Sequence, residues 1–338
     1  MKEVYSGIFL IEEKRRFMPS DNIYIIAGSD GVIFDAGYGN RRSVRTVVRQ
    51  FKKIEHEYNN ENQNFKIKRI LVSHAHSDHF SGLNKLSEKL GLKVILTKRI
   101  AGIIKDKTNF EKRYKENDHE DFLRISRRFT RGIKLYLRNL GEKTFYKWIF
   151  GLSYLNKPYE IIEENSDIWI NNEKWKIFHS PGHSTDHISL YSEEKGILFS
   201  GDNVLKMRST WLGPPESNLK DYLETIRYMQ NLPKLKLILP AHGDIIENTT
   251  ETLTAILERM KEREEQVLHV IYKNLFKGVS PKDITKIIYS KHNIIKQIIA
   301  RDWVVLTLKM LENNKKIRRK TLKKKILFFP YEDQTKLE

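Results

Sequence analysis

The chain opens with short apolar blocks separated by turn residues, and lengthens into helical periodicity further on. Val4 to Ile11, Ile23 to Ala27 and Val32 to Asp35 read as three strands. Pro19-Ser20-Asp21 and Gly28-Ser29-Asp30-Gly31 supply the turn chemistry between them. From about Arg42 to Glu57, Val44, Val47, Val48 and Phe51 recur at helical spacing and predict one inward face. Ile70 to Val72 is a short buried strand. A helix beginning near Ser81 follows, with Leu83, Leu86 and Leu90 as its stripe, and Lys93 to Thr97 is the next strand. This strand-rich opening with intervening helices predicts a mixed α/β domain.

The pattern changes over residues 98–156, where no strand is convincing. Phe122, Ile125, Phe129, Ile133, Tyr136 and Leu140 keep a helical period, while Arg124, Arg127, Arg128, Arg131, Lys134 and Arg138 crowd the opposite face. This helical insert is read either as a lid with a basic outer face or as an amphipathic helix pair packed on the domain. A membrane-surface helix is a third reading. Strands return at Trp175–His179, Gly196–Ser200 and Leu237–Pro240, with a helix starting near Leu219. A long helix from Thr249 to Phe276 follows. Ser280-Pro281-Lys282-Asp283 supplies an N-cap, a proline at the first helical position and an acidic third position for a short helix ending at Ser290. A further helix, Lys296 to Glu312, carries Ile299, Trp303, Leu306 and Met310 on one stripe, and Lys315 to Phe329 reads as a β-ribbon. Three helices and a terminal hairpin predict a winged-helix-like domain over 259–330, behind a first domain over 1–258.

Charge adds a question rather than an answer. The 338 residues carry 61 Lys and Arg against 43 Asp and Glu, a net charge of +18. Such a balance suits a polyanion partner, although Lys, Ile and Asn are abundant throughout and can reflect genome base composition. Position says more: eight of the eleven residues from Lys315 to Lys325 are basic. A ribbon so charged could track the phosphates of RNA or single-stranded nucleic acid. Winged helices also serve in docking and in pairing two copies, which makes a homodimer another reading. The absence of cysteine excludes disulfides and leaves a reducing cytoplasm as the default. No apolar run reaches the length of a membrane span, and the first residues lack the pattern of a secretion signal.

The chemistry is concentrated in residues 70–82. The strand that ends at Val72 is followed by His74, His76, Asp78 and His79, four candidate ligands within six residues. Imidazole and carboxylate are donors that a borderline cation such as zinc accepts. In an extended loop His74 and His76 point the same way, whereas Asp78 and His79 turn into a helix and can face a second ion. One histidine at a strand end would be read as solvated; four together are not. Three more candidates follow strand-like runs downstream: His183 in Ser180-Pro-Gly-His-Ser184, Asp202 in Phe199-Ser-Gly-Asp202 and His242 in Pro240-Ala-His-Gly243. Upstream stands Gly31-Val-Ile-Phe-Asp35-Ala-Gly37. The loop leaving Asp202 carries Lys206, Arg208 and Trp211, which could meet an anionic or planar substrate; Trp211 could equally pack beneath Pro214-Pro215.

The His-x-His-x-Asp-His run and these four further motifs, in this order, resemble the metallo-β-lactamase superfamily. The resemblance implies an αββα four-layer sandwich with the insert as a cap. It implies that His74, His76 and His183 hold one metal, that Asp78, His79 and His242 hold another, that Asp202 bridges them, and that Asp35 supports the loop by hydrogen bonds. Two zinc ions are expected, with iron or manganese as alternatives. Flavo-diiron proteins carry Glu where this chain has His76, and the thiolate ligand of several true β-lactamases is absent. Asp202 in the bridging position is similar to glyoxalase II, the lactonases and RNase Z. With the C-terminal helices and ribbon, the chain resembles the branch of β-lactamase-like proteins that includes a mitochondrial endoribonuclease. The implied activity is dinuclear metal-dependent hydrolysis, with hydroxide generated from water and Asp78 and Asp202 as catalytic residues. The bond cleaved is read as a phosphodiester of RNA or single-stranded nucleic acid, or as a thioester, lactone or other small ester.

Overall fold

The computed structural model describes residues 2–14, 20–60, 64–113, 150–206, 210–290, 294–322 and 325–331. Two sheets carry the fold. The larger has seven strands in sequence order: β1 (Lys2–Tyr5), β2 (Ile8–Glu13), β3 (Asp21–Ile26), β4 (Gly31–Phe34), β5 (Ile67–Leu71), β6 (Lys93–Thr97) and β7 (Glu160–Ile162). Its first four strands pair antiparallel and the last four parallel. The smaller runs β12-β11-β10-β9-β8, from β8 (Ser166–Ile170), β9 (Glu173–His179), β10 (Ile188–Ser192), β11 (Ile197–Gly201) and β12 (Leu237–Pro240). Its one parallel pair is β11 with β12.

Alternation along the smaller sheet divides the interior. Ile177, Leu190, Phe199 and Leu239 point into a core shared with Ile25, Ile33 and Phe34 of the larger sheet. Their neighbours Phe178, Tyr191, Leu198 and Ile238 point the other way, beneath helices α6 (Leu219–Gln230) and α7 (Thr249–Tyr272). On the far side, α1 (Arg41–Asn60) buries Val44, Val47, Phe51 and Ile54, and α3 (Leu83–Leu90) buries Leu83 and Leu86, against the larger sheet. Helix, sheet, sheet, helix is therefore the layer order, the four-layer metallo-β-lactamase architecture. Two short helices, α4 (Lys98–Ile104) and α5 (Lys107–Lys112), are the described helices of the insert. The periodic stripe expected over 122–140 lies outside the described residues.

Three local readings are corrected. The strand expected over Val4–Ile11 is a hairpin, β1 and β2, folded at Ser6-Gly7, where Gly7 takes φ +72°. That left-handed conformation costs glycine nothing, and it interrupts an otherwise continuous apolar run. The hairpin joining β8 to β9 was not anticipated. Asn171 and Asn172 both take positive φ, 53° and 61°. Two consecutive left-handed residues make the tight turn whose twist suits a hairpin, here without the Asn-Gly signal that usually announces it. Finally, α7 ends at Tyr272 rather than Phe276, whose ring is 94% exposed.

Beyond α7 come α8 (Pro281–Ile288), α9 (Ile294–Asn313) and a hairpin of β13 (Ile317–Leu322) with β14 (Lys325–Pro330). Ser280 accepts from the Asp283 amide and donates to the Asp283 carboxylate at 2.6 Å, closing the first turn of α8. Helix α7 runs straight through the boundary expected at 258/259. Its Leu253, Ile256 and Met260 pack on the sandwich, while Val267, Val270 and Ile271 enter a separate cluster with Trp303, Ile317 and Phe328. Helix α9 divides in the same way: Leu306 and Met310 join the sandwich side, Val304, Leu308 and Leu311 the other. Among the described residues, no helix is long and apolar enough to cross a membrane.

Trp175 on β9 is fully buried between the sheets, 5.7 Å from the Phe199 ring. Trp175→Ala should lower unfolding free energy by about 3–5 kcal/mol, read from denaturant titration, because it leaves a void where both sheets meet.

Candidate metal centre

Every candidate ligand sits just beyond the C-terminal end of a strand, on one edge of the sandwich. Parallel pairing of β4 with β5, and of β11 with β12, sends Asp35, His74, Asp202 and His242 out at the same rim. The two sheets are stitched together there. The Ser73 carbonyl accepts from the Ile188 amide, the Ala241 carbonyl from the Asn22 amide, and the Pro240 carbonyl from both Asn22 Nδ2 and the Tyr24 hydroxyl at 2.8–2.9 Å. His76 is extended, at φ −75° and ψ 148°, and immediately precedes α2 (Ser77–Phe80). Backbone direction therefore changes between His76 and Asp78, which splits the run into two facing sets.

Two groups result. His74, His76, His183 and Asp202 bring ligand atoms within 4.8 Å of one another, and so do Asp78, His79 and His242. Asp202 reaches both. Its Oδ2 lies 3.3 Å from His183 Nε2, while its Oδ1 lies 3.3 Å from His242 Nε2 and 3.6 Å from His79 Nε2. Asp78 completes the second set, 3.8 Å from the Nε2 of both His79 and His242.

Each imidazole is held from behind. His183 Nδ1 is bonded to the Trp211 carbonyl at 2.8 Å and His242 Nδ1 to the Ser20 carbonyl at 2.9 Å. His79 Nδ1 meets Asp35 Oδ2 at 3.2 Å, and His74 Nδ1 meets Ser73 Oγ at 3.0 Å. In all four the Nδ1 atom is engaged and Nε2 faces the centre. His76 is reversed: its Nε2 meets Glu216 Oε2 at 2.8 Å, leaving Nδ1 inward, 2.9 Å from His183 Nε2. Asp35 does more than hold His79. Its two oxygens also accept from the Ser73 amide at 2.7 Å and the Ser73 hydroxyl at 3.1 Å, and its own backbone is left-handed at φ 69°.

The electrostatics divide the two groups. Burial lowers His74 well below the usual imidazole value, and the charges of His79, His76 and His183 add to it. Burial likewise brings His183 down to about 4, against the pull of Asp202. On the other side burial is overcome by carboxylates: Asp35, Asp202 and Asp78 raise His79, and Asp202 raises His242 to about 10. Burial works to raise Asp202 too, yet His242, His79 and His183 together hold it well below the ordinary carboxylate value.

Several supports were not singled out from sequence. Glu216 is buried and joins His76 to Arg113, whose Nε lies 2.9 Å from Glu216 Oε1. Burial works to raise Glu216, but His76 and Arg113 bring it down to about 2. Asp186 accepts from the Ala75 amide at 2.7 Å. His187, four residues past His183, accepts from the Asp202 amide at 3.1 Å through Nε2, and its Nδ1 meets Ser180 Oγ at 2.8 Å. Gly201 makes room for it, since a Cβ there would lie 2.3 Å from His187 Nε2. Asp21 is buried with its Oδ1 3.3 Å from His242 Nδ1. Of the three loop residues expected to meet substrate, Trp211 sets its ring 6.3 Å from His76 and 6.1 Å from His183, packed over Gly213. Lys206 is exposed, and Arg208 lies outside the described residues. His179 bonds the Thr185 carbonyl and His56 meets Asn60, both away from the cluster.

The donor set fits a pair of cations. His74 Nε2 is buried at the centre without a hydrogen-bond partner, and His79 Nε2 and Asp202 Oδ1, also buried, have only the long contacts among themselves, Asp78 and His242. Such orphaned atoms are costly in a folded interior unless something electrophilic satisfies them.

Known proteins share both sequence and architecture. The sequence model of the Metallo-beta-lactamase superfamily matches residues 18–242. The chain is 23% identical over 291 residues to the beta-lactamase-like protein 2 homolog of Caenorhabditis elegans, covering 86% of this chain and 78% of that one. It is 32% identical over 126 residues to the atrochrysone carboxyl ACP thioesterase of Emericella nidulans, covering 36% of this chain and 39% of the other. Among solved structures, a beta-lactamase domain protein from Burkholderia ambifaria superposes with a TM-score of 0.75 at 20% identity, over 97% of this chain and 93% of that one. A metallo-beta-lactamase family protein from Thermus thermophilus gives 0.71 at 17%, over 97% and 100%.

Two expectations follow for the centre. Glu216→Gln keeps the volume but loses the charge that holds His76, and should weaken metal affinity about 10–100-fold in a chelator-competition titration. Metal loading should also release protons. A histidine raised to about 10 is protonated at pH 7, and a cation needs its lone pair, so His242 must give up its proton on binding. His183, near 4, is already neutral. Affinity at the His79/His242 set should therefore climb as pH rises from 7 towards 10, while the His74/His183 set stays flat. Calorimetry in buffers of differing ionisation enthalpy measures both.

Proposed function

The chain belongs to the metallo-beta-lactamase superfamily and is one of its hydrolases, and we propose that it is a two-metal acyl hydrolase whose substrate is a thioester. The divided Asp202 carboxylate carries the two-metal part: one oxygen faces each histidine set, so this one side chain would serve both ions. Zinc is the first choice for imidazole and carboxylate donors, with iron or manganese as alternatives. His74, His76, His183 and Asp202 would hold one ion, and Asp78, His79, His242 and Asp202 the other.

Bound there, two divalent cations would supply Lewis acidity and bring the pKa of a water near neutrality. The protein's own contribution is orientation. Backing bonds from Ser73, Glu216, Asp35, Trp211 and Ser20 fix each ring. Asp78 is the more exposed of the two ligand carboxylates, with 22% of its side chain accessible, and would relay to the leaving thiolate the proton that the attacking water gives up. In the overall reaction water adds its oxygen to the acyl carbon, the C–S bond breaks, and a carboxylic acid and a thiol leave. The Trp211 ring would flank the acyl group beside His76 and His183.

A thioester is favoured over a phosphodiester by two observations. Relatives named as ACP thioesterases match part of the chain. The basic ribbon, moreover, is partly neutralised within the molecule: Lys316 pairs with Glu264 at 2.8 Å and Arg319 with Glu312 at 3.2 Å. Two of the eight basic residues in 315–325 are thereby paired within the molecule, a modest reduction of what the ribbon offers a nucleic-acid backbone.

Metal-replete protein should hydrolyse an acyl thioester, lose activity to a chelator and regain it with zinc. Asp202→Asn should cost about a hundredfold or more in kcat. Cleavage of single-stranded RNA with no thioester turnover would instead favour the nuclease reading.

A further inference from the structure

A cleft of about 600 Å³ opens between the sandwich and the C-terminal helix α9. It shares a wall with the metal centre. Glu216 lines it while binding His76, and Thr185 lines it two residues past His183. The lining is mixed, and uncharged polar side chains such as Ser217, Asn313 and Asn314 separate an apolar patch from a set of cations. Leu219, Leu306 and Met310 make an apolar surface, and all three are buried among the helices over the smaller sheet. Arg113, Lys220 and Lys309 bring positive charge from three different elements, against the single carboxylate of Glu216.

These cations are not equivalent. Arg113 is committed to Glu216. Lys220 makes only an exposed pair with Glu224, at 3.8 Å along its own helix, a contact worth little. Lys309 is half-buried on α9 and has no ion pair among the described residues. The start of α6, where Asn218 caps the amides of Lys220 and Asp221, adds the positive end of a helix to the same wall. A cleft that joins an apolar patch and uncharged polar side chains to two available ammonium groups suits a ligand with an uncharged, amide-bearing arm and an anionic end. A cleft of this size admits one such arm rather than a run of nucleotides.

We propose that this cleft holds the thiol arm of the substrate, with a phosphate on that arm received by Lys309 and Lys220. The proposal rests on the thioester reading and narrows it to thioesters of a phosphorylated pantetheine-type arm. The arm belongs either to free coenzyme A or to the prosthetic group of a carrier protein, and the phosphate is common to both.

The test compares acetoacetyl thioesters of pantetheine and of 4′-phosphopantetheine, which differ only by the phosphate, on zinc-loaded enzyme. The phosphate should raise kcat/KM about tenfold, mainly through KM. In the Lys220→Ala/Lys309→Ala double variant the ratio between the two substrates should fall to near one, and Lys309→Arg should retain most of it. Equal kcat/KM for the two substrates in the parent overturns the proposal, as does a ratio that survives in the double variant. Calorimetry with the two free thiols, pantetheine and 4′-phosphopantetheine, decides the cleft independently of turnover. If no thioester is hydrolysed but the phosphorylated thiol binds tighter and the variant loses that gain, the reaction is wrong and the cleft stands. If the two thiols bind alike, the cleft reading fails. A single-stranded RNA that displaces 4′-phosphopantetheine, and whose affinity falls further than the thiol's in the double variant, overturns the proposal in favour of a polynucleotide. Acetoacetyl coenzyme A and an acetoacetyl carrier protein, run side by side, separate the two sources of the arm.

Discussion

Five imidazoles and two carboxylates share one buried rim, and the arrangement depends on fixing which nitrogen of each ring faces inward. A neutral imidazole has one donor and one acceptor nitrogen, and only the acceptor can bind a cation. The fold removes that freedom by giving each ring a partner behind it: a carbonyl for His183 and His242, a hydroxyl for His74, a carboxylate for His79 and His76. Four rings are engaged through Nδ1 and one through Nε2. That inversion at His76 has a local cause. The residue is still extended when its neighbours enter α2, so its ring comes to the centre from the other side and needs a separate acceptor, Glu216.

Much of this was legible in the chain, for a definable reason. His74, His76, Asp78 and His79 are adjacent in sequence, and His183, Asp202 and His242 each follow a strand whose apolar run is easy to see; the structure gathers these seven side chains into two neighbouring sets. Asp35 could be picked out because its motif also ends a strand. Glu216 could not. Its partners are His76, 140 residues away, and Arg113, within the insert at the end of α5, and nothing in Pro214-Pro215-Glu216 announces a buried acid. His187 could not be either, since its hold on the Asp202 amide depends on how β10 pairs beside β11. The hairpin at Asn171-Asn172 escaped because two asparagines carry a weaker turn signal than Asn-Gly.

Charge, too, is read differently once the chain is folded. A tally of Lys315 to Lys325 cannot include Glu264 on α7 or Glu312 on α9, which fold against the ribbon and pair with Lys316 and Arg319. Counting along the sequence leaves those two acids out. The cations of the cleft are the opposite case. Arg113, Lys220 and Lys309 are scattered over nearly two hundred residues; the packing of α9 against α6 brings the two lysines to one opening, and the pair with Glu216 sets Arg113 beside them.

Helix α9 belongs to two cores at once and carries part of the wall of that opening. Its inward residues are committed to packing, whereas Lys309, Asn313 and Asn314 can change without disturbing either core or any of the seven inward-facing ligands. If the cleft receives the substrate's arm as proposed, selection can act on what the protein admits separately from how it breaks a bond. A lineage carrying this chain could exchange one substrate for another by drift along a single helical face, its hydrolytic apparatus inherited intact.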